Sequence, residues 1–265
     1  MTAEPAADFE ARRFQTAAAH YLAGRPPYPE ALIERVVQLI GLTGDDRVLD
    51  LGCGPGQLAR AFAAHVGEAV AMDPEPQMLA LAREMAAGVP NMQVVQGRSD
   101  ELDGRHGRFK AVIIGRAFHW MERETTLATL DGLVEPGGAV VLFGEEPARV
   151  PENARIVEYE AMHTRWSADD RNRERLLSKD YRPHMSVLLD SPFSRLERIG
   201  VVARHGLGLE TLIDRTLSYS STSRARLGVR ADELIEELAR KYAEWTVKGP
   251  MEEVLMSTAL MAFRP

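Results

Sequence analysis

The residues best placed to do chemistry lie in Val48-Leu-Asp-Leu-Gly-Cys-Gly-Pro-Gly-Gln-Leu-Ala59. A short apolar run meets three glycines, Gly52, Gly54 and Gly56, and a helical pattern starts at once. Glycines there allow a tight turn and let backbone amides at the head of a helix approach a ligand closely. An ordinary strand-to-helix turn would look much the same, so the neighbouring residues decide. The spacing is G-x-G-x-G, whereas the dinucleotide fingerprint is G-x-G-x-x-G, and its third glycine would fall at Gln57. Asp50 precedes the loop and Asp73 ends the next apolar run. A carboxylate at Asp73 can accept two hydrogen bonds from a ribose diol and repels a phosphate. Together these residues favour an adenosine ligand without a pyrophosphate.

The loop needs a frame. Residues 8–24 read as an amphipathic helix, with Phe9, Phe14 and Tyr21 at helical spacing, ending at Gly24. Arg25-Pro-Pro-Tyr-Pro29 breaks it, and a second helix runs from Glu30 to Ile40. Short apolar strands then follow at Arg47–Leu51, Ala69–Met72, Gln93–Gln96, Phe109–Ile114 and Ala139–Phe143. Helical stretches separate them at Ala59–Val66, Pro76–Ala87 and Arg123–Val134. Such alternation predicts a parallel sheet covered on both faces, a doubly wound α/β core over residues 43–147. Residues 150–186 are polar and Arg-rich. Strand-like Leu196–Ala203 and Val254–Phe263 bracket helical Leu209–Leu217 and Ala231–Trp245. We read one domain: helices over the ligand site (1–42), core (43–147), a cap (148–190) and the completion of the sheet (191–265). A separate small second domain is the alternative.

With this loop and the order of its motifs along the chain, it resembles the class I, Rossmann-like S-adenosylmethionine-dependent methyltransferases. The resemblance rests on the 50–56 loop and on Asp73-Pro-Glu-Pro-Gln-Met78. Phe109-Lys-Ala-Val-Ile-Ile-Gly-Arg-Ala-Phe-His-Trp120 and Leu133-Val-Glu-Pro-Gly-Gly138 extend it. Upstream, Tyr21-Leu-Ala-Gly-Arg-Pro-Pro-Tyr-Pro29 is similar to the opening segment of a small-molecule branch. The resemblance implies a seven-stranded, mostly parallel sheet in the order 3-2-1-4-5-7-6. The last strand would be antiparallel and inserted, with a helical cap after strand five.

It also implies roles. Gly52, Cys53 and Gly54 would line the methionine end of S-adenosyl-L-methionine, with Asp50 behind the loop near the amino group. Asp73 would take the ribose hydroxyls, Pro74 and Met78 the adenine, and the Ser99 amide a ring nitrogen. Arg116 would sit beside the amino acid moiety. Tyr21 and Arg25 would reach the cofactor if the first helix closes over it, Arg25 pairing with a carboxylate. The chain departs from the family where Arg98 stands in place of an acid that accepts from the adenine amino group; Asp100 is the substitute. Lys110 replaces an acid before strand four.

Methyl transfer from a sulfonium is an in-line displacement driven by positioning, and a base is needed only for an acceptor that must lose a proton. His119, just after strand four, is the candidate base or substrate positioner, or else it packs beside Trp120. His20, Trp120, Glu145, Trp166, His184 and Tyr219 are candidates for the acceptor pocket, alongside Glu146, His163 and Tyr181. No metal-ligand spacing is evident.

Composition narrows the field. The 265 residues carry 39 acidic and 32 basic side chains, a net charge of −7, which disfavours nucleic acid as a partner. One cysteine, Cys53, excludes an internal disulfide and suggests a reducing, cytoplasmic setting. The acidic start lacks a secretion pattern, and no apolar run is long enough for a membrane span. The expectation is a monomeric or homodimeric enzyme methylating oxygen or carbon of a small organic acceptor. High Ala and Arg with only four lysines suggest a GC-rich bacterium and a secondary metabolite. The rivals are a carboxylate O-methyltransferase, an RNA or protein methyltransferase, and a cofactor-binding scaffold or cyclase that transfers no methyl.

Overall fold

The computed structural model describes residues 16–167, 174, 176 and 178–265. The first half of the expected opening helix lies outside these residues; α1 is seen as Ala18–Gly24 and α2 as Glu30–Ile40. Helix α2 buries Leu32, Ile33, Val36 and Ile40, and Gly41 closes it with φ 71°. The alternation that follows is β1 (Arg47–Leu51), α3 (Gln57–Ala63), β2 (Glu68–Asp73), α4 (Pro76–Ala86) and β3 (Met92–Gln96). Then come β4 (Phe109–Gly115), α5 (Arg123–Leu133), β5 (Val134–Pro147) and α6 (Ala154–Trp166). The chain continues through α7 (His184–Leu189), β6 (Arg195–Gly206), α8 (Leu209–Ser218), α9 (Arg224–Leu227), α10 (Arg230–Thr246) and β7 (Glu252–Phe263).

The strands form one sheet in the order β3-β2-β1-β4-β5-β7-β6. Strands β1 to β5 are parallel, and β7 runs antiparallel between β5 and β6. Consecutive residues of β4 go to opposite sides: Ala111 and Ile113 join one apolar cluster, Val112 and Ile114 the other. That is the pleat period of two, and it explains why the central strands read as unbroken apolar runs.

Strand β5 is much longer than the sequence suggests. Its pairing with β4 ends at Gly115↔Phe143, but β7 carries it on to Pro147↔Leu255. The extension projects Glu145 past the end of β4. A third apolar cluster, with Ile156, Tyr159, Met162, Leu212, Leu234 and Leu238, joins α6, α8 and α10 above the carboxyl ends of the strands. The cap therefore draws on the helices between β6 and β7 as well as on α6. Among the described residues no helix is long and apolar enough to cross a membrane.

Candidate active site

Gly52, Gly54 and Gly56 leave β1 with φ of 71°, 54° and 83°, a left-handed path that opens α3 at Gln57. A side chain at Gly52 would also place its Cβ 2.7 Å from the Cβ of Ala117. Two acids set this loop. Asp50, at the end of β1, is buried behind it and accepts the Ala59 amide at 2.9 Å. Burial pushes its carboxyl up to about 7, with Asp73 adding to the rise and the Ala59 amide opposing it. Asp73, at the end of β2, accepts the Gly54 amide and the Glu75 amide, each at 2.9 Å. Burial raises its carboxyl too, against the pull of those two amides. Each Asp73 oxygen keeps a second lone-pair direction, so a diol can still be received.

Gly52, Gly54 and Asp73 lie in the floor of a cleft of about 990 Å³ that runs from Asp73 to the underside of the cap. Of the expected residues, Tyr21, Arg25, Gly52, Gly54, Asp73, Pro74 and Met78 line it. So do Arg98, Ser99, Arg116, His119, Trp120, Glu145 and Tyr219. Arg98 grips Asp100 through two contacts of 2.8 and 2.9 Å, which engages the residue expected to substitute for the missing acid. Arg116 is the one non-glycine residue with positive φ (56°) among those described, a strained conformation typical of functional positions. Its guanidinium meets Glu145 at 2.9 Å. The second oxygen of Glu145, Oε1, is buried with no protein hydrogen-bond partner among the described residues and is thus an acceptor for a ligand donor. Burial raises the Glu145 carboxyl, while Arg116 and Arg25 oppose the rise. The His119 ring lies 4.6 Å from that of Trp120, in the turn after β4.

Several expected site residues are placed elsewhere. Cys53 turns its thiol into the core, where burial raises it, and its amide donates to Met72. His20 pairs with Asp214 at 2.7 Å and ties α1 to α8. Trp166 donates its indole N–H to Glu237 on α10. His184 lies under the turn after β4, against Phe118, with Arg123 3.1 Å from Nδ1. Burial and the Arg123 charge push its pKa down to about 4. Tyr181 stays with it, and Glu146 contacts Arg198 on the surface. For His20, Trp166, His184 and Glu146 the partner comes from a stretch distant in sequence, which spacing alone cannot supply.

Other lining residues were not anticipated. Arg215 and Glu253 form an ion pair of 2.8 Å with side chains only 9% and 2% exposed. Arg215 falls within the apolar stripe of α8, next to buried Leu212 and Thr216, and a cation in such a stripe was the available signal. Tyr159 bonds Thr216 at 3.0 Å, and His163, one of the expected pocket candidates, bonds Thr222 at 3.1 Å, both under the cap. Gly24 lets α1 touch α8, since a Cβ there would collide with the backbone of Arg215.

A sheet in this order, with a glycine loop after β1 and an acid at the end of β2, is the Rossmann-like methyltransferase fold. Residues 48–138 match the family model of a methyltransferase domain. A Mycobacterium tuberculosis protein described as an uncharacterized methyltransferase is 26% identical over 85% of this chain and 84% of its own length. A second such protein, from Mycobacterium bovis, is 34% identical over 43% of the chain and 57% of its length. The SAM-dependent methyltransferase of Geobacter sulfurreducens, solved with S-adenosyl-L-homocysteine, superposes with a TM-score of 0.55 at 16% identity, covering 97% of this chain and 99% of that one. The corresponding complex from Thiobacillus denitrificans gives 0.55 at 14%, covering 96% and 98%.

Proposed function

We propose that the protein is an S-adenosyl-L-methionine-dependent methyltransferase acting on oxygen or carbon of a small organic molecule, a bacterial secondary metabolite. The observation that carries this reading is the Asp73 clamp on Gly54 at the mouth of a cleft that continues under a cap. The donor fits the floor: a Cβ at Gly54 would meet only Met78 Sδ, at 4.0 Å, so the loop is open toward the adenosine side.

When bound, S-adenosyl-L-methionine supplies an activated methyl whose bond to sulfur breaks as the acceptor bond forms, the electron pair staying on sulfur to give S-adenosyl-L-homocysteine. The chain's own residues provide position. Asp73 orients the ribose, Met78 and Pro74 flank the base, and Arg116, held by Glu145, faces the amino acid end. The cap built on α6 and α8 over the strand ends supports a small acceptor, held in position beside the methyl group. His119 stands in the cleft wall after β4 as the group to take a proton from an acceptor that must lose one.

Saturating S-adenosyl-L-homocysteine, at about 100 times its Kd, should raise stability by about 2.7 kcal/mol, read as an increase in Tm. An unchanged Tm would refute the reading.

A further inference from the structure

Among the described residues four arginines line the cleft: Arg25, Arg98, Arg116 and Arg215. Three are neutralised within the protein. Arg98 pairs with Asp100 at 2.8 Å, Arg116 with Glu145 at 2.9 Å, and Arg215 with Glu253 at 2.8 Å. Arg25 has no carboxylate partner among the described residues. Its Nε donates to the Ser218 hydroxyl at 2.9 Å, and its guanidinium lies 3.8 Å above the Tyr219 ring. Those two contacts fix the plane of the group, and among the described residues neither terminal nitrogen has a hydrogen-bond partner.

The position of Arg25 matters as much as its charge. Its neighbours Ser218 and Tyr219 belong to the end of α8 and the turn after it, and its field acts on Glu145 and on Tyr159 under the cap. Its hydrogen bond and its stacking contact are thus with the cap side of the cleft, where that side borders the Arg116–Glu145 pair. On that side the two buried ion pairs cancel, and Glu160 is exposed at the rim. One fixed, stacked guanidinium fork remains. A stacked arginine is weakly hydrated, and its planar fork matches a carboxylate through two parallel N–H···O bonds.

We infer that the methyl acceptor is a small carboxylic acid whose carboxylate docks on Arg25; this rests on the methyltransferase reading above and assigns Arg25 to the acceptor, not to the cofactor. The test uses the full chain with methyl-tritiated S-adenosylmethionine. A bacterial small-molecule extract is split beforehand on an anion-exchange resin into retained and unretained pools. Label should pass into a product of the retained pool, and phosphatase treatment of that pool should not remove it. Arg25→Ala should cut the labelling about tenfold or more, with Arg25→Lys recovering part of it, while the calorimetric Kd for S-adenosylhomocysteine stays within about twofold. Several results would overturn the inference: label only from the unretained pool, no label from either, loss on phosphatase treatment, or undiminished labelling by Arg25→Ala. A fall in S-adenosylhomocysteine affinity parallel to the loss of labelling would overturn it too, returning Arg25 to the cofactor. Failure of the parent protein to bind S-adenosylhomocysteine is a separate readout, and it removes the methyltransferase reading itself.

Discussion

The carboxylate of Asp73 accepts the amide of Gly54 at 2.9 Å, across the gap between β2 and the loop that follows β1. The group expected to receive a ribose is thus also the clamp that shapes the cofactor loop, and the two tasks share one side chain.

Replacement of Asp73 should therefore cost more than one ligand contact. Asp73→Ala leaves the Gly54 and Glu75 amides without their acceptor, a loss of about 1–3 kcal/mol of stability. Its S-adenosyl-L-homocysteine affinity should fall well beyond that of Asp73→Asn, which keeps one oxygen. Urea unfolding and calorimetry on both variants check this, and equal affinities for the two would refute it.

Gly52 offers a steric test of the same loop. Gly52→Ala must hold φ near 71° and place a methyl group 2.7 Å from the Ala117 Cβ. A destabilisation of about 1–3 kcal/mol is expected, with weaker cofactor binding, because the turn after β4 is pushed outward.

Asp50 predicts a pH dependence. Its carboxyl titrates near about 7 in the fold against 3.8 for an ordinary aspartate, because burial penalises the charge. The fold holds this proton more tightly than the unfolded chain, so the contribution is full below about pH 4 and lost as pH rises to about 7. Asp50→Asn removes that titration. Relative to the parent, it should gain up to about 4 kcal/mol between about pH 4 and pH 7 in urea unfolding, and parallel profiles would count against the assignment.

The Arg215–Glu253 pair should show strong coupling. Arg215→Met leaves Glu253 charged and buried, at a cost of about 3–5 kcal/mol, whereas the double variant with Glu253→Leu should recover most of it. A double-mutant cycle by denaturant unfolding gives the coupling directly, and additive single effects would exclude it.

His119→Ala should leave S-adenosyl-L-homocysteine binding intact while lowering turnover on the true acceptor about 10²–10⁴-fold if His119 takes a proton. Undiminished turnover would reject the base role and leave His119 as a packing partner of Trp120.

The cofactor half was legible because its chemistry is local. Asp50, the three glycines and Asp73 are read within a single strand-helix-strand unit, and the resemblance supplied the strand order with its inserted antiparallel β7. The acceptor half was not legible for the opposite reason. Arg215 meets Glu253, His20 meets Asp214 and Trp166 meets Glu237 across long separations, so the direction of each side chain depends on how cap helices dock. His184 carries the right chemistry but sits beneath the wall, at a depth that no local pattern encodes.

The fastening of α1 to α8 sets an order of assembly. His20 and Asp214 are 194 residues apart in sequence, and Arg215 reaches back 191 residues to the carbonyl of Gly24. Closing so long a loop carries an entropic cost that contacts within β1 to β4 never meet. A nascent chain can therefore lay down the floor of the cleft while still on the ribosome. The roof must wait until α8 has emerged and β7 has slipped between its two neighbours.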